Sequence, residues 1–196
     1  LLPASPASPA GALRLAVAET LFAAPADVQT VAAVRTALER LRANGISLSE
    51  TTLPAAVTGS KADAEIILGY EAHAVLAPLL EHSLPAQLRG LLQRGATIPR
   101  DAYRDALARR EAARAAVEDS LGRYDAIVVP CGNAAPPRST TGDATPFAPW
   151  SFFGAPAISI PIPGTRPAAL SLQLVAHPGS DARLLAAAAA VEAALA

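Results

Sequence analysis

The chain has 196 residues and 19.9 kDa, with 52% hydrophobic, 17% charged and only 4% aromatic residues and a formal net charge of −1. The hydrophobic share is inflated by 48 alanines, which favour helix but bury little area each; it still supports a core and excludes disorder as the dominant state. A pI near 6.3 gives no basic excess for a phosphate backbone, and the single cysteine excludes an internal disulfide framework and a multi-cysteine zinc site. No apolar run reaches the roughly 18 residues of a membrane span.

In chain order, residues 1–11 form a Pro/Ala/Ser stretch that reads as a linker, without the basic start and apolar run of a signal peptide. The chain contains no Met, so further polypeptide is expected before the linker or on a companion chain, with residues 12–196 forming one domain. Residues 13–18 suit a buried strand. Asp27 reads as the cap of a helix with Val31, Val34, Leu38 and Leu41 at three- and four-residue steps, and Gly45 as its stop. Residues 47–53 read as a second strand closed by Pro54, and a strand, helix and strand of this length predict a parallel pair. Helix follows over 63–81, a short amphipathic piece over 84–94, and a long helix from Pro99 to Leu121 stopped by Gly122.

The run Ala126–Pro130 is a buried-strand sequence. Residues 131–149, rich in Gly, Pro, Ser and Thr, read as a long loop of the kind that is usually functional. Strands are expected at 157–162 and 170–176, then a helix capped by Asp181 with Leu184, Leu185, Ala188, Val191 and Leu195 on one face. The fold class is α/β, a mixed and largely parallel sheet covered by helices.

Candidate chemistry is sparse. Cys131 stands at a strand end before Gly132, a place suited to a nucleophile, but a thiol needs a base within reach and no histidine is near in sequence, so it reads as structural. Arg100, Arg104, Arg109, Arg110, Arg114 and Arg123 interleave with Asp101, Asp105, Glu111, Glu118 and Asp119, the pattern of an ion-paired solvated face. His73, His82 and His177 have no metal-ligand spacing and read as structural. Lys61, the only lysine, follows Ser60; a Ser–Lys pair would suit nucleophilic catalysis, but an exposed lysine at a helix start is the simpler reading. The segment 147–161 holds four of the eight aromatic residues, including Trp150, and suits either a core plug or one wall of a ligand pocket.

Tyr124-Asp125-Ala126-Ile127-Val128-Val129-Pro130, the loop after it, and the run from Ala148-Pro149-Trp150 through Gly154-Ala155-Pro156-Ala157-Ile158-Ser159-Ile160-Pro161 resemble the C-terminal part of the amidase signature family. So do Leu172-Gln173-Leu174-Val175, the closing helix over 181–195, the strand over 13–18 and the helix carrying Arg109-Arg110. The resemblance runs from Gly11 onward. It implies hydrolysis of a carboxamide through an acyl-enzyme, with a serine nucleophile, a bridging serine in a cis peptide bond, an uncharged lysine, and a Gly-rich loop for the oxyanion.

In the family those groups lie in the N-terminal half. This chain has no Ser-Ser or Gly-Gly dipeptide, and Lys61 does not match the family lysine, so the resemblance carries over no catalytic residue and predicts that the isolated chain is inactive. It implies that this chain supplies part of the sheet and one wall of the acyl pocket, with Trp150, Phe152 and Phe153 nearest the substrate and Cys131 opening the rim loop. Leu91 and Ala144 stand where glutamine-using members carry Arg and Asp, which disfavours glutamine. Ser151 in place of the usual Asn, beside aromatics, favours an apolar or aromatic acyl group. The expected partners are a small-molecule amide and the missing signature segment or a companion chain, with a homodimer as a further option. No nucleic acid, membrane, metal or cofactor is expected, and the expected location is cytoplasmic. The competing reading is a non-catalytic α/β binding or interaction module derived from an amidase.

Overall fold

The computed structural model describes residues 13–18, 28–131, 146–165 and 170–196. The linker over 1–11, the Asp27 cap and residues 132–145 of the expected loop lie outside them. Four strands carry the apolar runs of the sequence: β1 (Leu15–Ala18), β3 (Ala126–Pro130), β4 (Ala157–Pro161) and β5 (Ser171–Val175); β2 (Leu48–Thr51) is polar. They form one sheet in the order β2-β1-β3-β5-β4. β1 pairs in parallel with β2 and β3, and β5 pairs antiparallel with β3 and β4. Four of the five strands therefore run in one direction, as a mixed, largely parallel sheet requires.

The period-two alternation of the strands splits the core in two. Ala126, Val128, Leu172 and Leu174 face helices α1 (Val28–Ala43) and α7 (Asp181–Leu195), through Val34, Leu38, Leu41, Leu184 and Val191. Ile127, Val129 and Val175 face the opposite way, toward Val117 and Leu121 of α5 (Arg100–Gly122), Val57 of α2 (Ala55–Gly59), and Trp150 and Phe153 of α6 (Ala148–Phe153). Asp125 pins β3 to β1: its carboxylate accepts the Arg14 backbone N–H at 2.8 Å while its own N–H donates to the Arg14 carbonyl at 2.8 Å.

Helix ends follow the sequence closely in two places. Gly45, at φ +82°, closes α1 with Ile46 N–H on the Leu41 carbonyl and Gly45 N–H on that of Arg42, a Schellman motif that a side chain would strain. At α7 the cap falls one residue before the expected one: Ser180 is the N-cap and Asp181 lies in the first turn, where its charge still favours the helix dipole. The expected helix over 63–81 is α3 (Lys61–Leu76) followed by a 3-10 turn (Ala77–Glu81), because Pro78 cannot continue α-helical hydrogen bonding. The amphipathic piece after Pro85 is α4 (Ala86–Ala96).

Helices α3, α4 and α5 pack together beside the sheet. Gly69 and Gly95 let the α3 and α4 backbones approach so closely that a Cβ on Gly95 would fall 2.1 Å from the Gly69 carbonyl oxygen. Between α3 and α5 the Arg109 guanidinium grips Asp63 at 2.6–3.1 Å, Tyr70 and Tyr103 stack at 4.2 Å, and the Tyr103 hydroxyl donates to Glu71 at 2.8 Å. That hydrogen bond to the Glu71 carboxylate holds the Tyr103 phenol above its usual range.

The two sheet edges differ. Ile162 N–H bonds the Leu170 carbonyl and Ala176 N–H bonds that of Pro156, so the even-numbered residues of β4 turn their backbone groups to β5. Ala157, Ser159 and Pro161 turn theirs outward and are exposed. The β4 edge bears no charge, whereas β2 presents Glu50 between Ser49 and Thr51.

Candidate functional site

The sequence predicts a loop as far as Pro149 with the aromatics between loop and strand, whereas the structure forms the short helix α6 there. Six residues are too short to show a helical period, but the ends are chemically clear: Pro149 sits in the first turn, where its missing N–H costs nothing, and Gly154 at φ +70° ends the helix. The Ala155 N–H then bonds the Trp150 carbonyl at 2.9 Å and turns the chain into β4.

This helix gathers three of the four residues assigned to the substrate, and divides them. Trp150, 1% exposed, and Phe153, 5% exposed, belong to the core cluster against β3 and β5. Phe152 packs edge-to-face on Phe153, ring centroids 4.8 Å apart, and is half-buried. Beside it opens a cleft of about 220 Å³ lined by Arg110, Arg114, Ser151, Phe152, Phe153 and Pro178. The Arg110 guanidinium lies over the Phe152 ring at 5.9 Å.

The fourth residue, Cys131, stands at the end of β3, where its Sγ is 2.9 Å from Ser159 Oγ on β4. β5 lies between those strands, and its Gln173 pairs in register with Val129 on one side and Ser159 on the other. Gln173 is buried, and its Oε1 has no hydrogen-bond partner among the described residues; the same holds for Trp150 Nε1. An acceptor and a donor are thus both buried and unpaired on the α6 side of the sheet. Ser159 and Gln173 carried no signal in the sequence beyond their place in strands.

The ion-paired face the sequence predicts forms in part: Arg109, Arg114 and Arg123 hold ion pairs, whereas Arg100, Arg104 and Arg110 have none among the described residues. Arg114 bonds Glu118 at 2.6 Å and lies 3.8 Å from Glu111, and Arg123 bonds Asp119 at 2.6 Å. Glu118 and Asp119 raise the pKa of Arg114 and Arg123 by accepting their hydrogen bonds. Arg110 departs from the pattern by turning to Phe152, which periodicity alone does not reveal. Two of the three histidines are held structurally, His73 Nδ1 at 3.0 Å from the Leu92 carbonyl and His177 Nδ1 at 2.7 Å from that of Pro178, while His82 is exposed. Ser60 Oγ is buried and donates to the Val57 carbonyl at 2.8 Å, while Lys61 is exposed at the start of α3. Among the described residues no group of three or more His, Cys, Asp and Glu side chains could hold a metal ion, and no helix is long and apolar enough to cross a membrane.

The comparison with curated proteins gives no match. Among solved structures, one described as an amidase is similar at 26% identity and a TM-score of 0.85, covering 98% of this chain and 48% of that one. The peptide amidase of Stenotrophomonas maltophilia (19% identity, TM-score 0.71, 93% and 43% covered) and a bacterial aryl acylamidase of the amidase signature enzymes (14%, 0.71, 93% and 44%) share the fold. The chain thus spans about half the length of the structures it matches. With the amidase family model matching residues 3–185 on top of this fold, the chain belongs to the amidase signature family.

Proposed function

We propose that this chain is the C-terminal portion of an amidase-type hydrolase that cleaves a carboxamide C–N bond, with the catalytic residues on polypeptide outside it. The observation that carries the reading is the pairing of a family match over residues 3–185 with coverage of only 48% of the similar amidase. The hydroxyl and thiol groups described above support it: Ser60 is bonded to a backbone carbonyl, and Cys131 to Ser159. The uncharged edge of β4, unpaired among the described residues, supports it as well, as a place for a companion half to join the sheet.

In that assembly a serine of the companion half attacks the carboxamide carbon, its proton passing through the bridging serine to the uncharged lysine. The C–N bond then breaks as the amine leaves with a proton, and water hydrolyses the acyl-enzyme. This chain contributes the acyl wall: Phe152 and Phe153 contact the substrate, Trp150 anchors them in the core, and Cys131 with Ser159 borders the strand ends. Phe152 and Phe153 favour an apolar or aromatic acyl group.

The test is to assay hydrolysis of a simple aryl amide by this chain alone and by this chain joined to a signature half of a related amidase. Turnover only in the joined protein supports the reading. Turnover by the isolated chain, abolished by Ser60→Ala or Lys61→Ala, overturns it.

A further inference from the structure

The cleft beside α6 has a feature the acyl-wall reading leaves unused: two guanidiniums and no carboxylate among its lining side chains. The charge of Arg114 is already met by Glu118 at 2.6 Å and Glu111 at 3.8 Å. Arg110 has no such ion pair among the described residues; it is half-buried, with its guanidinium carbon 5.9 Å from the centroid of the Phe152 ring. The lining therefore holds about one uncompensated positive charge, next to an apolar wall of two rings packed edge-to-face and the exposed Ser151.

We propose that this cleft is a binding site for an aromatic monocarboxylate, held by Arg110 at its charged end and by Phe152 and Phe153 along its ring. One uncompensated charge matches a monoanion better than a phosphate. A guanidinium presents paired N–H donors that fit the two oxygens of a carboxylate. The Arg110 guanidinium lies 5.9 Å from the Phe152 ring centroid, so the charge and the ring wall stand side by side in the cleft. At about 220 Å³ the cleft lies below the range that holds drug-sized ligands and suits a single ring with its carboxyl group. An aryl carboxylate is also the acid that hydrolysis of an amide with an aromatic acyl group releases, the amine leaving as the other product. The inference thus deepens the proposed acyl site and rests on it for its biological meaning: the same cleft retains the product acid, which inhibits the enzyme.

The experiment involves no hydrolysis, so its failure and the failure of the hydrolase reading are told apart. Benzoate and its neutral isostere benzamide are titrated into the unaltered chain, following the backbone amide NMR signals of Ser151 to Gly154. Benzoate is expected to shift these signals saturably and to bind about tenfold or more tightly than benzamide, the usual scale of a charge-assisted pair. Arg110→Met, with its fold checked by the dispersion of the remaining signals, is expected to remove that preference, and Arg110→Lys to keep part of it. Equal binding of benzoate and benzamide, or no shift with benzoate, overturns the proposal without any variant. A preference unchanged in a folded Arg110→Met protein overturns it as well.

Discussion

Gly95 shows how one residue sets a helix contact. A Cβ there would meet the Gly69 carbonyl oxygen at 2.1 Å and the His73 Cβ at 2.8 Å, and backbone cannot give way without separating α3 from α4. Gly95→Ala is expected to cost about 1–3 kcal/mol or more, read as a lower urea midpoint. At Gly69 the obstacle is the end of the Ile98 side chain at 2.9 Å, which can rotate, so Gly69→Ala is expected to cost less. Two aromatics of α6 separate in the same way. Trp150 is 1% exposed, so Trp150→Ala should cost about 3–5 kcal/mol, whereas Phe152→Ala, at a half-buried position, should leave most of the stability and change the cleft. Thermal denaturation of both variants checks the contrast.

Among the elements, the α3–α5 pair carries a pH dependence of its own. The hydrogen bond from Tyr103 to the Glu71 carboxylate raises the phenol's pKa in the folded chain above its ordinary value of 10.0. A raised pKa means the neutral hydroxyl is favoured by folding. The stabilisation is therefore fully present below about pH 10 and is lost as pH rises through the folded-state value. The stability difference between the unaltered chain and Tyr103→Phe should be constant from about pH 6 to 9 and shrink above about pH 10, where tyrosine ordinarily titrates. A difference that grows with alkalinity would contradict this. The effect is small, because the pair lies at the surface.

For the whole molecule, the sheet has one edge protected by charge and one that is not. β4 turns the backbone groups of Ala157, Ser159 and Pro161 outward, with only Pro161 lacking an N–H to offer. The isolated chain is expected to self-associate through this edge. Ser159→Lys, which places a charge at its centre, should lower the apparent mass in sedimentation at a given concentration; an unchanged mass would show that association runs through another surface.

The sequence by itself determined the alternation of strands and helices, the parallel β1–β2 unit and the family. These depend on runs of apolar residues, turn-forming glycines and prolines, and short motifs, all of which act over a few neighbours. Val34, Leu38, Leu41 and Gly45 are a case where pattern and stop signal together define α1. Tertiary structure alone decided α6, whose helical state depends on burying Trp150 and Phe153 rather than on any period in six residues. It also decided that Arg110 leaves the ion-paired face to meet Phe152, and that Cys131 meets Ser159 across 28 residues. Such contacts join segments distant along the chain, and their partners are fixed by strand order and helix packing, which no local stretch of sequence contains.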